Sequence, residues 1–473
     1  MKYRWLGVAG LLLGSLWACA PQHLQTSKAA PVDALPEGPH SAAIAQWQLL
    51  LRDDTNNPDA LFHLAEIYGQ RFQTLGNQSD KLLAIEHGQK VLLARPEDFA
   101  AQTLLYSVYY SAVRRGQQDD VKPLEALYAK VPLALRKGFF PPALASYLRE
   151  LDGENNPRNI AKEKQLLLQA IAQQPQNGLL HVQLARYFFE QNAPDLGFAS
   201  LHQALRFEPE NPDVLIALGE SYRSRAGHGD CVYEHLDDIK TSVQFLKQAM
   251  ARKPQGNDVH FGLMINYAHL GLAPLSLREG DIWMAQMNPT QLANGPQLAQ
   301  QRSTLAIFNA YQGQPQRAAE LFQQAALSTG RGYVEYLMLQ RRWQDAAAAF
   351  PSYVQSLKQP GVLDLMMAAI IQGELANDKV GIDDLWRTDK KAVFYSPWDQ
   401  ALAKYWRGAS TEMEFKSAAT NVCESADYEF YVGYSYVLHN RLSEAKAHFE
   451  KARGYALPMN FESRLAETFL QSF

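Results

Sequence analysis

The stretch that decides the fold is His181–Pro209, HVQLARYFFEQNAPDLGFASLHQALRFEP. Leu184, Ala185 and Phe188 fall on one face of a helix. Asn192, Pro194 and Asp195 then supply turn chemistry. Gly197, Leu201 and Ala204 form a second stripe at i, i+4, i+7 spacing, and Pro209 stops it. The stretch therefore reads as two short amphipathic helices joined by a turn. One hairpin cannot bury two apolar stripes alone, so the fold requires neighbours of the same kind.

Such neighbours are present. Pro175 to Pro209 is 34 residues, Pro209 to Pro254 is 45, and Pro254 to Pro289 is 35. Leu184-Ala185-x-x-Phe188, Leu218-Gly219-x-x-Tyr222 and Leu263-Met264-x-x-Tyr267 align. Ala204 precedes Pro209 as Ala249 precedes Pro254. This pattern resembles the tetratricopeptide repeat, whose signature is W-x₂-L-G-x₂-Y, then A-x₃-F, then P, with a period of about 34 residues. The resemblance implies an all-α, right-handed superhelical solenoid of helix pairs. Small residues let paired helices approach, and large ones fill the space between units.

Copies extend outward in both directions. Ile44, Trp47, Leu50 and Leu51 make the first stripe, followed by Leu64-Ala65-x-x-Tyr68 and Ala84, Gly88, Val91. Leu305-Ala306, Gly313, Ala318, Phe322 and Ala325 fit well, and Tyr336–Phe350 is a worn copy. Ala100–Leu151 is helical but poorly matched, with a sharp break at Lys137–Pro142. Val380–Val393 is irregular. Ser396-Pro397 and Thr411-x-x-Glu414 then read as helix starts. The last hairpin carries Val432-Gly433-x-x-Tyr436, Asn440, Ala445, Phe449 and Ala452. From Ser396-Pro397-Trp398 through Cys423-Glu424 and Tyr428–Gly433 to Phe461-Glu462, the ending is similar to NlpI-type envelope lipoproteins. That likeness implies an adaptor that docks cell-wall hydrolases and proteases.

The chain opens on Lys2 and Arg4, an apolar run Leu6–Leu16, and Leu16-Trp17-Ala18-Cys19. The run is short for a bilayer span and reads as a secretory signal. The last four residues resemble a bacterial lipobox, which implies cleavage before Cys19 and its acylation. Ala20, rather than aspartate, implies sorting to the outer membrane, facing the periplasm. Residues 19–40 hold Pro21, Pro31, Pro36 and Pro39 without periodicity and read as a tether reaching roughly 65 Å. The expected division is signal 1–18, tether 19–40, repeat array 41–379 and a helical cap 380–473.

Composition narrows the function. Of 473 residues, 47% are hydrophobic and 20% charged, as in folded soluble chains. The net charge of −4 carries no basic block, which excludes nucleic acid as the expected partner. There is no G-x-S-x-G, H-E-x-x-H or phosphate loop, so neither enzyme activity nor a cofactor is expected. Two insertions lengthen their units, near Gly69–Lys81 and Arg223–Lys240, and read as loops on one face. The second holds His228, Cys231 and His235, a His-x-x-Cys-x-x-x-His pattern of zinc-ligand types that lacks a second spaced pair. Cys231 and Cys423 read as separate buried cysteines, because repeats touch mainly their neighbours and a bond would need the superhelix to curl back.

The first helix of each unit lines the inner groove. By register, Phe62, Glu66, Val182, Arg186, Phe189, Ile216, Glu220, Arg223, Phe261 and Ile265 face it. Apolar groups with both charge signs suit a peptide segment or helix of an envelope protein. The tetratricopeptide carboxylate clamp does not carry over, since its Lys and Asn are absent here. Tyr106–Tyr110 and Tyr187–Phe189 read as core at helical spacing, with sugar stacking the alternative. The expected role is a tethered scaffold that positions envelope proteins and is open to self-association. The alternatives are a glycan-binding or export-accessory module and, last, a metal-dependent enzyme.

Overall fold

The structure is a computed structural model that describes residues 39–150, 157–228, 231–252, 258–286, 296–325, 330–357, 359–375 and 393–473. The signal, Cys19, nearly all of the tether and most of Val380–Val393 lie outside the described residues. Within them the regular structure is helical, with one isolated bridge between Gly361 and Val393.

The helices run α1 (Pro39–Asp53), α2 (Pro58–Leu75), α3 (Gln78–Ala94), α4 (Phe99–Arg114), α5 (Val121–Lys130), α6 (Pro142–Glu150), α7 (Pro157–Gln173), α8 (Gly178–Glu190) and α9 (Pro194–Phe207). Then come α10 (Pro212–His228), α11 (Leu236–Ala251), α12 (Asp258–His269), α13 (Ala273–Gln286), α14 (Pro296–Tyr311), α15 (Pro315–Ala325), α16 (Arg331–Leu339), α17 (Trp343–Gln355) and α18 (Val362–Leu375). The cap holds α19 (Pro397–Trp406), α20 (Glu412–Ser417), α21 (Val422–Leu438), α22 (Leu442–Gly454) and α23 (Phe461–Leu470). Successive helices pair as antiparallel hairpins, among them α2/α3, α8/α9, α10/α11, α12/α13, α14/α15 and α21/α22.

Local chemistry fixes where each helix begins. Asn57, Asp98, Asn177, Asn421 and Asn460 each accept a backbone N–H in the first turn of a helix. Second helices start differently. The second residue past the first helix enters the left-handed region at Asn192, Gly271, Gly313, Arg341 and Asn440. The next residue donates back across the turn: Ala193 N to Phe188 O at 2.9 Å, Gln314 N to Asn309 O at 2.8 Å, Arg342 N to Leu337 O at 2.9 Å. This closure satisfies carbonyls that the helix leaves open. The Lys137–Pro142 break is a 3₁₀ turn, Leu133–Gly138, ahead of α6.

The small residues sit where helices touch. A Cβ on Gly219 would stand 2.7 Å from Leu246 Cγ, and one on Gly280 2.6 Å from Leu305 Cδ1. Close approach lets Ser242 Oγ donate to Gly219 O at 2.6 Å and accept from Asn266 Nδ2 of the next unit at 2.8 Å. Ser276 repeats the arrangement, donating to Met264 O at 2.9 Å. His260 Nδ1 meets Glu279 Oε2 at 2.6 Å across α12/α13, while His448 Nδ1 meets Glu429 Oε2 at 2.6 Å across α21/α22. The two pairs occupy the same register with acid and base exchanged.

The structure corrects two sequence expectations. The insertion at Gly69–Lys81 is not a loop: α2 continues to Leu75, with Phe72 fully buried. Buried Lys81 reaches Asp120 at 2.8 Å and Gln117 at 2.6 Å, tying α3 to the next unit. The insertion at Arg223–Lys240 extends α10 to His228 and adds the 3₁₀ turn Val232–His235.

The second correction concerns the cysteines. Cys231 and Cys423 are disulfide-bonded, with Cα atoms 5.6 Å apart and 192 residues between them. The chain does curl back. Trp343 stacks on Phe469 at 6.0 Å, and Tyr434 OH donates to Ile370 O at 3.1 Å. One core runs from Met264 of α12 to Phe469 of α23. A polar knot lies beside it. Arg331 Nε and Tyr311 OH both bond Glu335 at 2.6 Å, and Tyr431 OH bonds Glu462 at 2.8 Å. Burial, with Glu462 nearby, pushes the Asp427 carboxyl well above the usual range.

Three substitutions test this packing. Gly219→Ala should cost about 1–3 kcal/mol in chemical denaturation, since Leu246 must move. Gly313→Ala, where a Cβ meets nothing within 4 Å, should lose only about 1 kcal/mol, from its φ of +75°. Lys81→Met should cost about 3 kcal/mol by stranding Asp120, and adding Asp120→Asn should recover much of it.

Candidate interaction surface

The structure places the ten groove candidates, all on first helices, in two groups. The apolar ones are half-buried at unit interfaces. Phe62 packs on Leu61, Val91 and Ala101. Val182 and Phe189 pack on the α8–α10 core, with Phe189 edge-on to Phe198 at 5.3 Å and lying over Gly197. Ile216 covers the α10–α12 core. Phe261 rests on Trp283 at 4.7 Å, and Phe261 and Ile265 both back the large C-terminal core. Part of each such side chain is thus spent on packing within and between hairpins.

Of the charged candidates, Arg186 is exposed, while Glu66, Glu220 and Arg223 are half-buried. Glu66 lies 3.5 Å from His63 Nδ1. Glu220 pairs with Arg223 on its own helix and leans over Gly262, where a Cβ would come within 2.6 Å of its Oε1. The missing side chain at Gly262 makes that space. Arg186 reaches solvent on α8. Enclosure by the surrounding walls lowers its pKa; Glu190 opposes this and Arg114 adds to it. Beside it, Tyr110 stacks on Phe140 at 5.3 Å, and burial pushes its phenol up to about 12. Arg114, Arg186, Tyr110 and Phe140 thus form a mixed aromatic and charged patch between α4, α6 and α8.

The aromatic runs divide likewise. Tyr106, Tyr109 and Tyr187 are buried, and Tyr106 OH donates to Phe140 O, so none offers a face to a sugar. In the inserted segment, the bond to Cys423 removes the one thiolate of the His228, Cys231, His235 pattern. The His228 side chain is outside the described residues, and His235 ends the 3₁₀ turn. Among the described residues, no three His, Cys, Asp or Glu side chains converge as metal ligands would.

The inserted segment matters in another way. Tyr233 OH accepts from Met459 N at 2.7 Å, and Glu234 Oε1 accepts from Val422 N at 3.1 Å. Tyr233 also lies edge-on to His269 at 5.8 Å. Burial and the Arg223 guanidinium hold His269 down at about 4. Sequence reasoning missed this seam. Its signal was the two cysteines left over beyond Cys19 in a chain with an export-type start.

No protein-family model matches the sequence. No curated protein matches it either. Among solved structures, the chain is similar to one from the APC/C hetero-tetramer Cut9-Hcn1, at 12% identity and a TM-score of 0.44, covering 72% of this chain. It spans 61% of that chain's length. A tetratricopeptide repeat protein from Parabacteroides merdae is similar at 11% identity and a TM-score of 0.31, covering 66% of this chain and 100% of that one. Yeast Tom70 is similar at 14% identity and a TM-score of 0.32, covering 92% of both.

His269 gives a pH prediction. Its folded pKa lies below the unfolded value of 6.5, so its neutral form stabilises the fold above pH 6.5. That contribution should be lost as pH falls from 6.5 towards 4, by up to about 3 kcal/mol. Urea titrations across this window should show the slope, and His269→Gln should flatten it.

Proposed function

We propose that this chain is a lipid-anchored scaffold of the bacterial cell envelope that holds other proteins on the inner face of a tetratricopeptide-type array. One observation carries the reading: repeated helix pairs leave charged side chains of both signs, Glu66, Arg186 and Glu220, beside half-buried apolar groups. Such a face suits a peptide segment or partner helix, with apolar anchors for affinity and charges for register.

The envelope placement rests on the sequence and on one bond. Leu16-Trp17-Ala18-Cys19 fits acylation at Cys19, and Ala20 fits the outer membrane. A Cys231–Cys423 disulfide suits an oxidising compartment such as the periplasm. No described helix is long and apolar enough to cross a membrane, so the anchor in this reading is the acyl group alone. The NlpI-like ending makes cell-wall enzymes and export machinery the first partners to seek. The glycan reading keeps only the half-buried Tyr110–Phe140 pair, with Tyr110 also stacked on Tyr106.

Crosslinking in intact envelopes followed by capture of the acylated chain tests the scaffold. Reproducible protein partners, reduced at least fivefold by Arg186→Glu with Glu66→Lys, are expected. Recovery of no partner, with retention on purified peptidoglycan that Tyr110→Ala abolishes, would transfer the case to glycan binding. Cys19→Ala should release the chain from membranes and abolish palmitate labelling; an unchanged distribution would remove the anchor.

A further inference from the structure

The segment joining α10 to α11 is a strap laid across to the cap. Its 3₁₀ turn, Val232–His235, contains no buried residue. Cys231, only 3% exposed, is therefore its buried anchor, and that cysteine is bonded to the first turn of α21. Apart from this bond, the strap holds the cap through Met459 N to Tyr233 OH and Val422 N to Glu234 Oε1, the latter on the surface.

The cap itself is held differently. Phe430, Tyr431, Tyr434, Phe449 and Phe469 are buried in the shared core. Thr468 and Trp343 add contacts between α23 and the α16/α17 turn. Breaking the disulfide would leave the strap held to the cap by the Tyr233 and Glu234 hydrogen bonds alone, with those core contacts intact.

Beneath the strap lie groups with unmet bonding capacity. Arg223 Nε and His269 Nδ1 are buried atoms with no hydrogen-bond partner, and Tyr233 stands edge-on to the His269 ring. A buried polar atom left unpaired is costly, and exposing it to water or to a partner's carboxylate relieves that cost.

We propose that Cys231–Cys423 is a redox-removable clasp: exchange with a dithiol frees the 231–235 strap and uncovers the Arg223–His269 corner of the inner surface, while α21–α23 stay docked. A thiolate of the dithiol attacks the Sγ of Cys423, the less buried of the two residues. The Sγ–Sγ bond breaks, and Cys231 leaves as a thiolate that takes up a proton. The second thiol of the reagent then attacks the mixed disulfide, and Cys423 leaves. The protein gains two electrons and two protons, and the dithiol becomes a disulfide. The departing Cys423 thiolate lies in the first turn of a 17-residue helix, where the dipole stabilises negative charge and speeds release.

Hydrogen exchange on the full chain, before and after dithiothreitol with alkylation of the freed thiols, tests the clasp. Reduction should speed exchange at residues 231–236 and at the Val422 and Met459 amides at least tenfold. Residues 430–437 and 464–470 should stay unchanged. The Cys231→Ser, Cys423→Ser double variant should show the reduced pattern without reductant and ignore dithiothreitol; should it fail to fold, the reduced native chain carries the comparison. Equal exchange in both states would overturn the proposal. So would loss of protection throughout α21–α23, or two free thiols at 231 and 423 in the unreduced chain.

Discussion

The structure depends on helices that approach closely enough for a leucine of one to lie on a glycine of another. Leu246 sits on Gly219 within a unit, and Leu305 sits on Gly280 between units. That separation brings Ser242 Oγ within reach of the Gly219 carbonyl and lets Asn266 join from the next pair. It also leaves the turn little room, so the chain reverses through one left-handed residue at Asn192, Gly313 or Asn440. Each unit then presents its first helix in the same way. The inner surface is built by repetition rather than by any single long-range motif.

The repeat was legible because its information is local. Leu184-Ala185-x-x-Phe188, the Pro stops and the cap signals at Ser396 and Thr411 all act within a few residues of one another, and the helices follow them. The insertions were harder. Gly69–Leu75 lacks a breaker until Gly76, and the deciding contact, Phe72 buried against neighbours, lies outside the window of periodicity. The groove residues were only half legible. Register says which face Phe189 or Phe261 occupies, but not that the second helix of the same hairpin lays Phe198 or Trp283 against each ring. For the Cys231–Cys423 bond the sequence offered only two leftover cysteines, because closure depends on curvature accumulated over many small rotations.

Closure changes the energetics of the array. In an open solenoid each unit depends on its neighbours, and ends fray independently. Here α23 touches the α16/α17 turn and the strap reaches α21. The final helices are therefore stabilised from both sides, and the C-terminal half behaves as a closed body around the core that runs from Met264 to Phe469. The units from α2 to α9 lack such a return contact among the described residues. Flexibility on the inner surface should concentrate there, around Arg186 and Tyr110.

The exchanged acid–base pairs bear on how the chain avoids folding wrongly. An array of similar hairpins risks joining the first helix of one unit to the second helix of another. Across α12/α13 the pair is His260 with Glu279; across α21/α22 it is Glu429 with His448. Swapping partners between these two hairpins would set histidine against histidine in one and glutamate against glutamate in the other, each half-buried or buried. The reversal acts as a key that admits the correct partner, in units whose apolar stripes would otherwise fit each other equally well.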